Sequence, residues 1–407
     1  MTHVAELPLI VDGHVHVTNR VYWEGLDPWQ PQPFGFDYAR AKAAGVKVII
    51  ENVGTYGYAN FNYTPRQVLR LIETFHRTIE DHQDVMGLAL TGADARRLAA
   101  EGRMAVFLGV EAGFDHEGDP DVLRALYRLG LRVVQFSTQT CFNAFADAEV
   151  GGPAAWHGIN DRGRALVDLM NELGILIDLT HATPAAQAQI VAASEAPVVA
   201  SHIALRAVSG PGPATGLLSD EILRAVAAKG GVVGIIGAGA AIGPRYRRWL
   251  TTHPEEAARQ GAARVGLADI GLPRTRAPLD HGEFGVWLDE TMRARHLAAF
   301  ATQPGSDGEG AGDSMPGTDE WAAHAAHVIT TAGPGHVGIG LDLAAAHHPT
   351  VIANASGYPD LIAALRRVTT EENVRKIAGE NWLRVLDTVT SAKSPPSGPA
   401  SSTSPIS

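Results

Sequence analysis

The chain has a single cysteine, Cys141, among 407 residues. That scarcity excludes an internal disulfide framework and a thiolate metal site, so a bound cation has to be held by nitrogen and oxygen. Uninterrupted apolar runs of about 18 residues, the length of a membrane-crossing helix, are absent. The N-terminus MTHVAELPLIVDG lacks the basic segment and long apolar stretch of a secretory signal. A soluble, cytoplasmic protein is therefore expected. Basic residues are not in excess: 33 Lys+Arg against 44 Asp+Glu give a net charge of -11, which disfavours nucleic acid, anionic membrane surfaces and polyanionic substrates as partners. No internal sequence repeat is visible.

What the chain does have is five stretches that join strand-like apolar residues to metal-binding side chains. Leu9 to Val17 (LIVDGHVHV) carries His14 and His16, and Ala105 to Ala112 (AVFLGVEA) carries Glu111. Leu176 to His181 (LIDLTH) ends in His181, Val198 to His202 (VVASH) ends in His202, and His336 to Leu343 (HVGIGLDL) carries Asp342. Alternation along a strand puts the two imidazoles of His-x-His on one face, where they can grip one ion. Two inward histidines as mere packing would each need a buried hydrogen-bond partner. Glu111 alone fits a buried ion pair as well as a ligand, but among four histidines a carboxylate bridging two cations is its better use. His181 and His202, at the ends of consecutive strands, fit the second ion's ligand set. Asp342 is either a helix N-cap or a carboxylate that accepts a proton from water beside the metals.

With Val46 to Val53, Arg132 to Thr138 and Gly230 to Gly237, the strand candidates number eight, alternating with helical patterns. The fold expected is α/β, a (β/α)8 TIM-type barrel with catalytic residues at the C-terminal strand ends. The helix Asp161 to Gly174 shows the pattern: Leu166, Leu169, Met170 and Leu173 follow 3-4 spacing, Asn160 or Asp161 can cap it, and Gly174 can end it. One barrel domain is expected over residues 1–390, with an insertion at about 244–317 before the last strand. Helices are expected there at Pro254 to Arg264 and Leu288 to Phe300, and a lid or partner surface as the insertion's role. The Ser/Pro-rich residues 391–407 are expected to be disordered. Weaker candidates are His324 and His327, read as a solvated or partly packed helix face over Trp321 to Ile329. His347 and His348 are placed at the mouth or in a loop, Glu51 and Tyr56 at a pocket wall.

Several of these motifs together resemble the membrane dipeptidase (renal dipeptidase, peptidase M19) family of dinuclear zinc hydrolases. The resemblance runs from about Leu9 to Asp387 and is densest over GINDRGRALVDLMNELGILIDLTHAT, Gly158 to Thr183. VDGHVH, GVEAG, APVVASH, LSDEILRAVAAKGGVVG, HVGIGLD and VRKIAGENWLRVLD add to it. The resemblance implies two zinc ions: His14 and His16 on the first, His181 and His202 on the second, Glu111 bridging, and Asp342 orienting or deprotonating the attacking water. It also implies a homodimer. Three departures bear on the substrate. The family's first-strand motif is His-x-Asp, but the second position here is His16. The His or Tyr that many members place after the fourth strand is replaced by Thr138 or Gln139 in FSTQTCFN. Where the family has an Arg-Asn pair for the substrate carboxylate, GPATGLLSD offers Thr215 and Gly216, with Arg206 nearby as the remaining cation.

The function expected is hydrolysis of an amide bond in a dipeptide or similar small molecule, with two cations sharing a hydroxide and Asp342 passing the proton to the leaving amine. The alternatives are an amidohydrolase acting on a lactone, phosphoester or cyclic amide, as the His-x-His start suggests, and a non-catalytic ligand-binding barrel. Retained zinc with no hydrolysis of any test panel would favour the last.

Overall fold

A computed structural model describes residues 7–32, 35–54, 64–137, 143–149, 154–210, 217–258, 293, 311–343 and 350–391. The strands are β1 (Ile10–Val15), β2 (Val46–Gly54), β3 (Met86–Leu88), β4 (Met104–Glu111), β5 (Leu131–Gln135), β6 (Leu176–Asp178), β7 (Val198–Leu205), β8 (Leu217–Leu218), β9 (Val232–Ile235) and β10 (Val337–Ile339). Eight of them close on themselves in the order β1, β2, β4, β5, β6, β7, β9, β10 and back to β1, every pairing parallel. The architecture is a (β/α)8 barrel, and its eight strands are the eight expected. Two short strands lie outside the ring: β3 pairs with the start of β4, and β8 with the end of β7.

The inner layer comes from alternate strand residues, among them Val11, Val48, Ile50, Phe107, Val133, Val199 and Val232. The C-terminal helix Asn381–Thr390 caps this layer with Trp382, Leu386 and Val389. Trp382 is fully buried and its Nε1–H donates to the Ile339 carbonyl at 2.9 Å. Its indole fits because Gly13, Gly234 and Gly338 have no side chain there: a Cβ on Gly13 would lie 2.2 Å, and one on Gly338 2.4 Å, from an indole atom. The floor of the barrel is therefore an aromatic plug, one residue away from His14.

The helix expected at Asp161 to Gly174 spans Asp161–Leu173. Of the two cap candidates it is Asn160 that acts, its side chain accepting the Gly163 N–H, and Gly174 ends the helix with φ of 75°. In the insertion the chain enters a helix at Pro244–Thr252, which the sequence reading does not single out, and is helical again over residues 254–258. The remainder of the helix expected to Arg264, the helix expected at Leu288 to Phe300 apart from residue 293, and residues 392–407 lie outside the described residues. No helix among the described residues is long and apolar enough to cross a membrane.

Candidate metal centre

Six side chains meet at the C-terminal end of the barrel, but not all from strands. His14 and His202 lie within β1 and β7, and Glu111 is the last residue of β4. The strands expected to reach His181 and Asp342 stop at Asp178 and Ile339. Both residues sit three positions further on in left-handed backbone, with φ of 65° and 56°. His16 lies just beyond β1, at the N-cap of the helix Val17–Glu24. Non-glycine residues at positive φ are strained, and two of the four in the described chain carry the site's own side chains. The turn aims a side chain that a continuing strand would send elsewhere.

Glu111 organises the group, with one pair of imidazoles at each oxygen. Oε2 lies 2.5 Å from His16 Nε2 and 3.4 Å from His14 Nε2. Oε1 lies 3.1 Å from His181 Nε2 and 3.5 Å from His202 Nε2. Within the pairs, Nε2 faces Nε2 at 2.8 Å for His14 and His16, and at 3.1 Å for His181 and His202. Imidazoles that face each other through Nε2 can share one proton or one cation between them. Asp342 Oδ1 lies 3.8 Å from His16 Nε2. The Glu111 carboxylate thus joins two imidazole pairs, each a three-donor set suited to a divalent ion.

The electrostatics follow from burial against charge. Burial works to raise Glu111, but His16 and His14 overcome it and hold the carboxyl well below its ordinary range. Burial alone would depress His16; the Glu111 carboxylate outweighs it and lifts the imidazole to about 9. His181 is raised for the same reason, while His202 is pushed well down by burial and by the neighbouring His14. Burial pushes Asp342 up to about 6. The cluster sets one carboxyl held well below its ordinary range beside imidazoles shifted in opposite directions and a second carboxyl that burial raises.

Behind the six stand groups that the sequence reading passed over. His16 Nδ1 lies 2.6 Å from the Asn52 carbonyl. Ser201 Oγ lies 2.9 Å from Nδ1 of both His14 and His202, and 2.5 Å from Asp178 Oδ2. Asp12 accepts the His14 N–H at 3.0 Å, the Leu341 N–H at 3.2 Å and the Tyr358 hydroxyl, tying the first strand to the segment that carries Asp342. A signal existed for two of them: Asp12 and Asp178 are charges inside apolar strands, where only a functional or paired carboxylate is tolerated.

The other candidates divide. Glu51 is fully buried, accepts the Thr18 N–H at 2.7 Å and the Tyr38 hydroxyl at 3.0 Å, and is pushed up by burial to about 7; it braces the first helix rather than lining a wall. Arg206 is half-buried and donates to the Leu217 carbonyl at 3.3 Å. His324 is not on a solvated face: it is fully buried, with Nδ1 accepting the Leu205 N–H at 3.0 Å. His327 is half-buried and 2.8 Å from Asp220. Tyr56, Thr138, Gln139, Cys141, Thr215, Gly216, His347 and His348 lie outside the described residues.

Comparison with known proteins places this arrangement. The chain is 27% identical over 331 residues to the dipeptidase verJ of Clonostachys rogersoniana, a match covering 80% of this chain and 65% of that protein. It is 26% identical over 329 residues to the dipeptidase aclJ of Aspergillus oryzae, covering 80% of this chain and 61% of that one. The chain thus spans less than two thirds of the length of these relatives. Among solved structures, the probable dipeptidase PvdM from Pseudomonas aeruginosa superposes with a TM-score of 0.72 at 21% identity, covering 94% of this chain and 96% of that one. A metallo peptidase from Rhodobacter sphaeroides, liganded with a phosphinate mimic of the dipeptide L-Ala-D-Ala, gives 0.69 at 19% identity, covering 94% of this chain and all of that one. At these identities the structures speak for the barrel. The family of membrane dipeptidases (peptidase family M19) matches residues 2–398, nearly the whole chain, and the chain belongs to that family.

Proposed function

We propose that this chain is a dinuclear metal-dependent hydrolase of an amide bond, with a dipeptide or dipeptide-like molecule as substrate. The observation that carries the reading is the division of Glu111, whose two oxygens each face a separate pair of imidazoles. His14, His16 and Glu111 would hold one ion, and His181, His202 and Glu111 the other. The donors are imidazole and carboxylate without thiolate, which suits zinc. Two such ions, when bound, polarise a carbonyl and lower the pKa of water. Asp342, beside the first pair, accepts the proton of the attacking water and returns it to the leaving nitrogen. The positive φ of His181 and Asp342 holds both side chains toward Glu111 before substrate arrives. The phosphinate dipeptide mimic held by the Rhodobacter sphaeroides neighbour supports a dipeptide as the substrate class.

A second reading, an amidohydrolase acting on a lactone, phosphoester or cyclic amide, draws on two observations. The first-strand pair is two imidazoles, and Arg206, the cation expected for a substrate carboxylate, is engaged with the Leu217 carbonyl. Metal analysis and a panel decide. The purified chain is expected to carry two divalent ions and Glu111→Gln sharply fewer, because an amide cannot bridge as an anion. About one ion, unchanged in the variant, would overturn the dinuclear reading. Hydrolysis of dipeptides, rather than of N-acyl amino acids or lactones, by the zinc-reconstituted protein would fix the substrate class.

A further inference from the structure

An imidazole binds a cation through one nitrogen only if the hydrogen sits on the other. For His16 the backbone settles the matter: Nδ1 faces the Asn52 carbonyl at 2.6 Å, an acceptor, so a hydrogen sits there and Nε2, beside Glu111, is the nitrogen left to exchange its proton for a cation. His14 and His202 belong to different pairs, yet their rings lie 3.7 Å apart and both place Nδ1 2.9 Å from one atom, Ser201 Oγ. A hydroxyl has one hydrogen and two lone pairs. Its third neighbour, Asp178 Oδ2 at 2.5 Å, is a carboxylate oxygen that takes the hydrogen. Asp178 is itself held by the Thr180 hydroxyl at 2.8 Å and the Ser201 N–H at 2.8 Å, both on Oδ1. The two lone pairs of Ser201 Oγ are left for two N–H groups, one from each imidazole. All three side chains are buried.

We propose that Ser201, oriented by Asp178, is a positioning residue that fixes the Nδ1–H form of His14 and His202 together, and so prepares one ligand of each cation site through a single hydroxyl. The proposal rests on the dinuclear reading above. Two other arrangements compete with it. His14, Asp178 and His202 also bring ligand atoms within 4.8 Å of one another, as a third cation site would. Ser201 Oγ stands between those atoms, at hydrogen-bond distance from each, and fills the place that ion would need. Asn52 Nδ2 lies 3.1 Å from His14 Nδ1, and as a donor there it would enforce the opposite form of that ring.

The test uses the full chain with zinc as the probe. Nitrogen NMR of the imidazoles in wild-type metal-free protein should show both His14 and His202 protonated at Nδ1, which requires no variant to fold. In competition with a chromophoric chelator, Ser201→Ala should weaken both zinc equivalents by about tenfold to a hundredfold, the usual effect of removing a group that orients a ligand. Ser201→Thr, which keeps the hydroxyl, should stay within about threefold of wild type on the same scale. His14 with a hydrogen at Nε2 and none at Nδ1, loss of only one equivalent in Ser201→Ala, or a third equivalent abolished by Asp178→Ala would each overturn the proposal. A wild-type stoichiometry below two would instead strike at the dinuclear reading, so the two failures are separable.

Discussion

Asp342 differs from the five proposed ligands in what surrounds it. Its Oδ1 lies 3.8 Å from His16 Nε2, where Glu111 approaches the same nitrogen to 2.5 Å. In the proposed mechanism a carboxylate in that position would face the reacting water more than the ions. Asp342→Asn is therefore expected to leave metal content nearly intact and to lower turnover by a factor on the order of 10² to 10⁴, the span of a general acid–base group. Parallel elemental analysis and kinetics check this, and equal loss of metal and activity would make Asp342 a ligand. Arg206 bears on specificity in a similar way. Its guanidinium donates one hydrogen bond, from Nη2, to the Leu217 carbonyl, which turns that donor toward backbone. A matched dipeptide and its C-terminal amide are expected to differ by less than about tenfold in kcat/KM, or ~1.4 kcal/mol. A thousandfold preference for the free acid would mean that a cation, Arg206 released from Leu217 or an arginine of the insertion such as Arg245, grips the carboxylate.

Elements explain which parts of the fold could be read in advance. All eight barrel strands are apolar, β-branched runs bounded by turn residues, and for such buried strands composition and length carry the signal. β3 and β8, of three and two residues, lie outside the barrel ring and each pairs with one neighbour, β4 or β7, whereas β6 and β10, as short as β3, belong to longer apolar runs that end in candidate ligands. The proposed site residues were legible as residue types near strand ends, but not the turns at His181 and Asp342, because positive φ in a non-glycine residue is imposed by the tertiary structure. His324 was misjudged because a helix pattern tells which residues share a face, not what covers it. The helix Thr318–Ala332 buries Trp321, Ala325 and Val328 together with His324. The burial of His324 depresses its imidazole from 6.5 to about 4. The unfolded chain then binds this proton more tightly than the folded one. The stabilising contribution is complete above pH 6.5 and is withdrawn as pH falls toward 4, by up to about 3 kcal/mol. With chelator present throughout, His324→Gln should narrow the gap between urea midpoints at pH 7 and pH 4.5; an unchanged gap would deny His324 this role. The C-terminal helix yields a companion expectation. Trp382→Ala removes the barrel plug and should cost about 3–5 kcal/mol in urea unfolding, the range for a large buried side chain.

At the scale of the whole molecule the centre joins segments far apart in sequence, from His14 to Asp342, through a buried cluster of imidazoles and carboxylates. Paired imidazoles press their Nε2 atoms together, and a buried carboxylate is shared among four of them. Such a group is tolerated because a barrel closed by eight parallel pairings and plugged by Trp382 holds it in place. Cations that bind only the folded chain would then stabilise all of it, since the proposed ligands come from β1 and the residue just beyond it, from β4 and β7, and from the segment after β6. With free zinc about a hundredfold above its dissociation constant, each ion adds about 2.7 kcal/mol. For a chain of this length that raises the thermal midpoint by about 3 °C. Removing zinc with a chelator is expected to lower the midpoint by about twice that amount in the wild type and to have little effect on Glu111→Gln. Asp342→Asn should retain the full shift while losing turnover, because it leaves the ligands whole. Had the centre been a packed polar cluster without metals, chelation would move no midpoint, and Glu111→Gln would destabilise the protein equally with and without zinc.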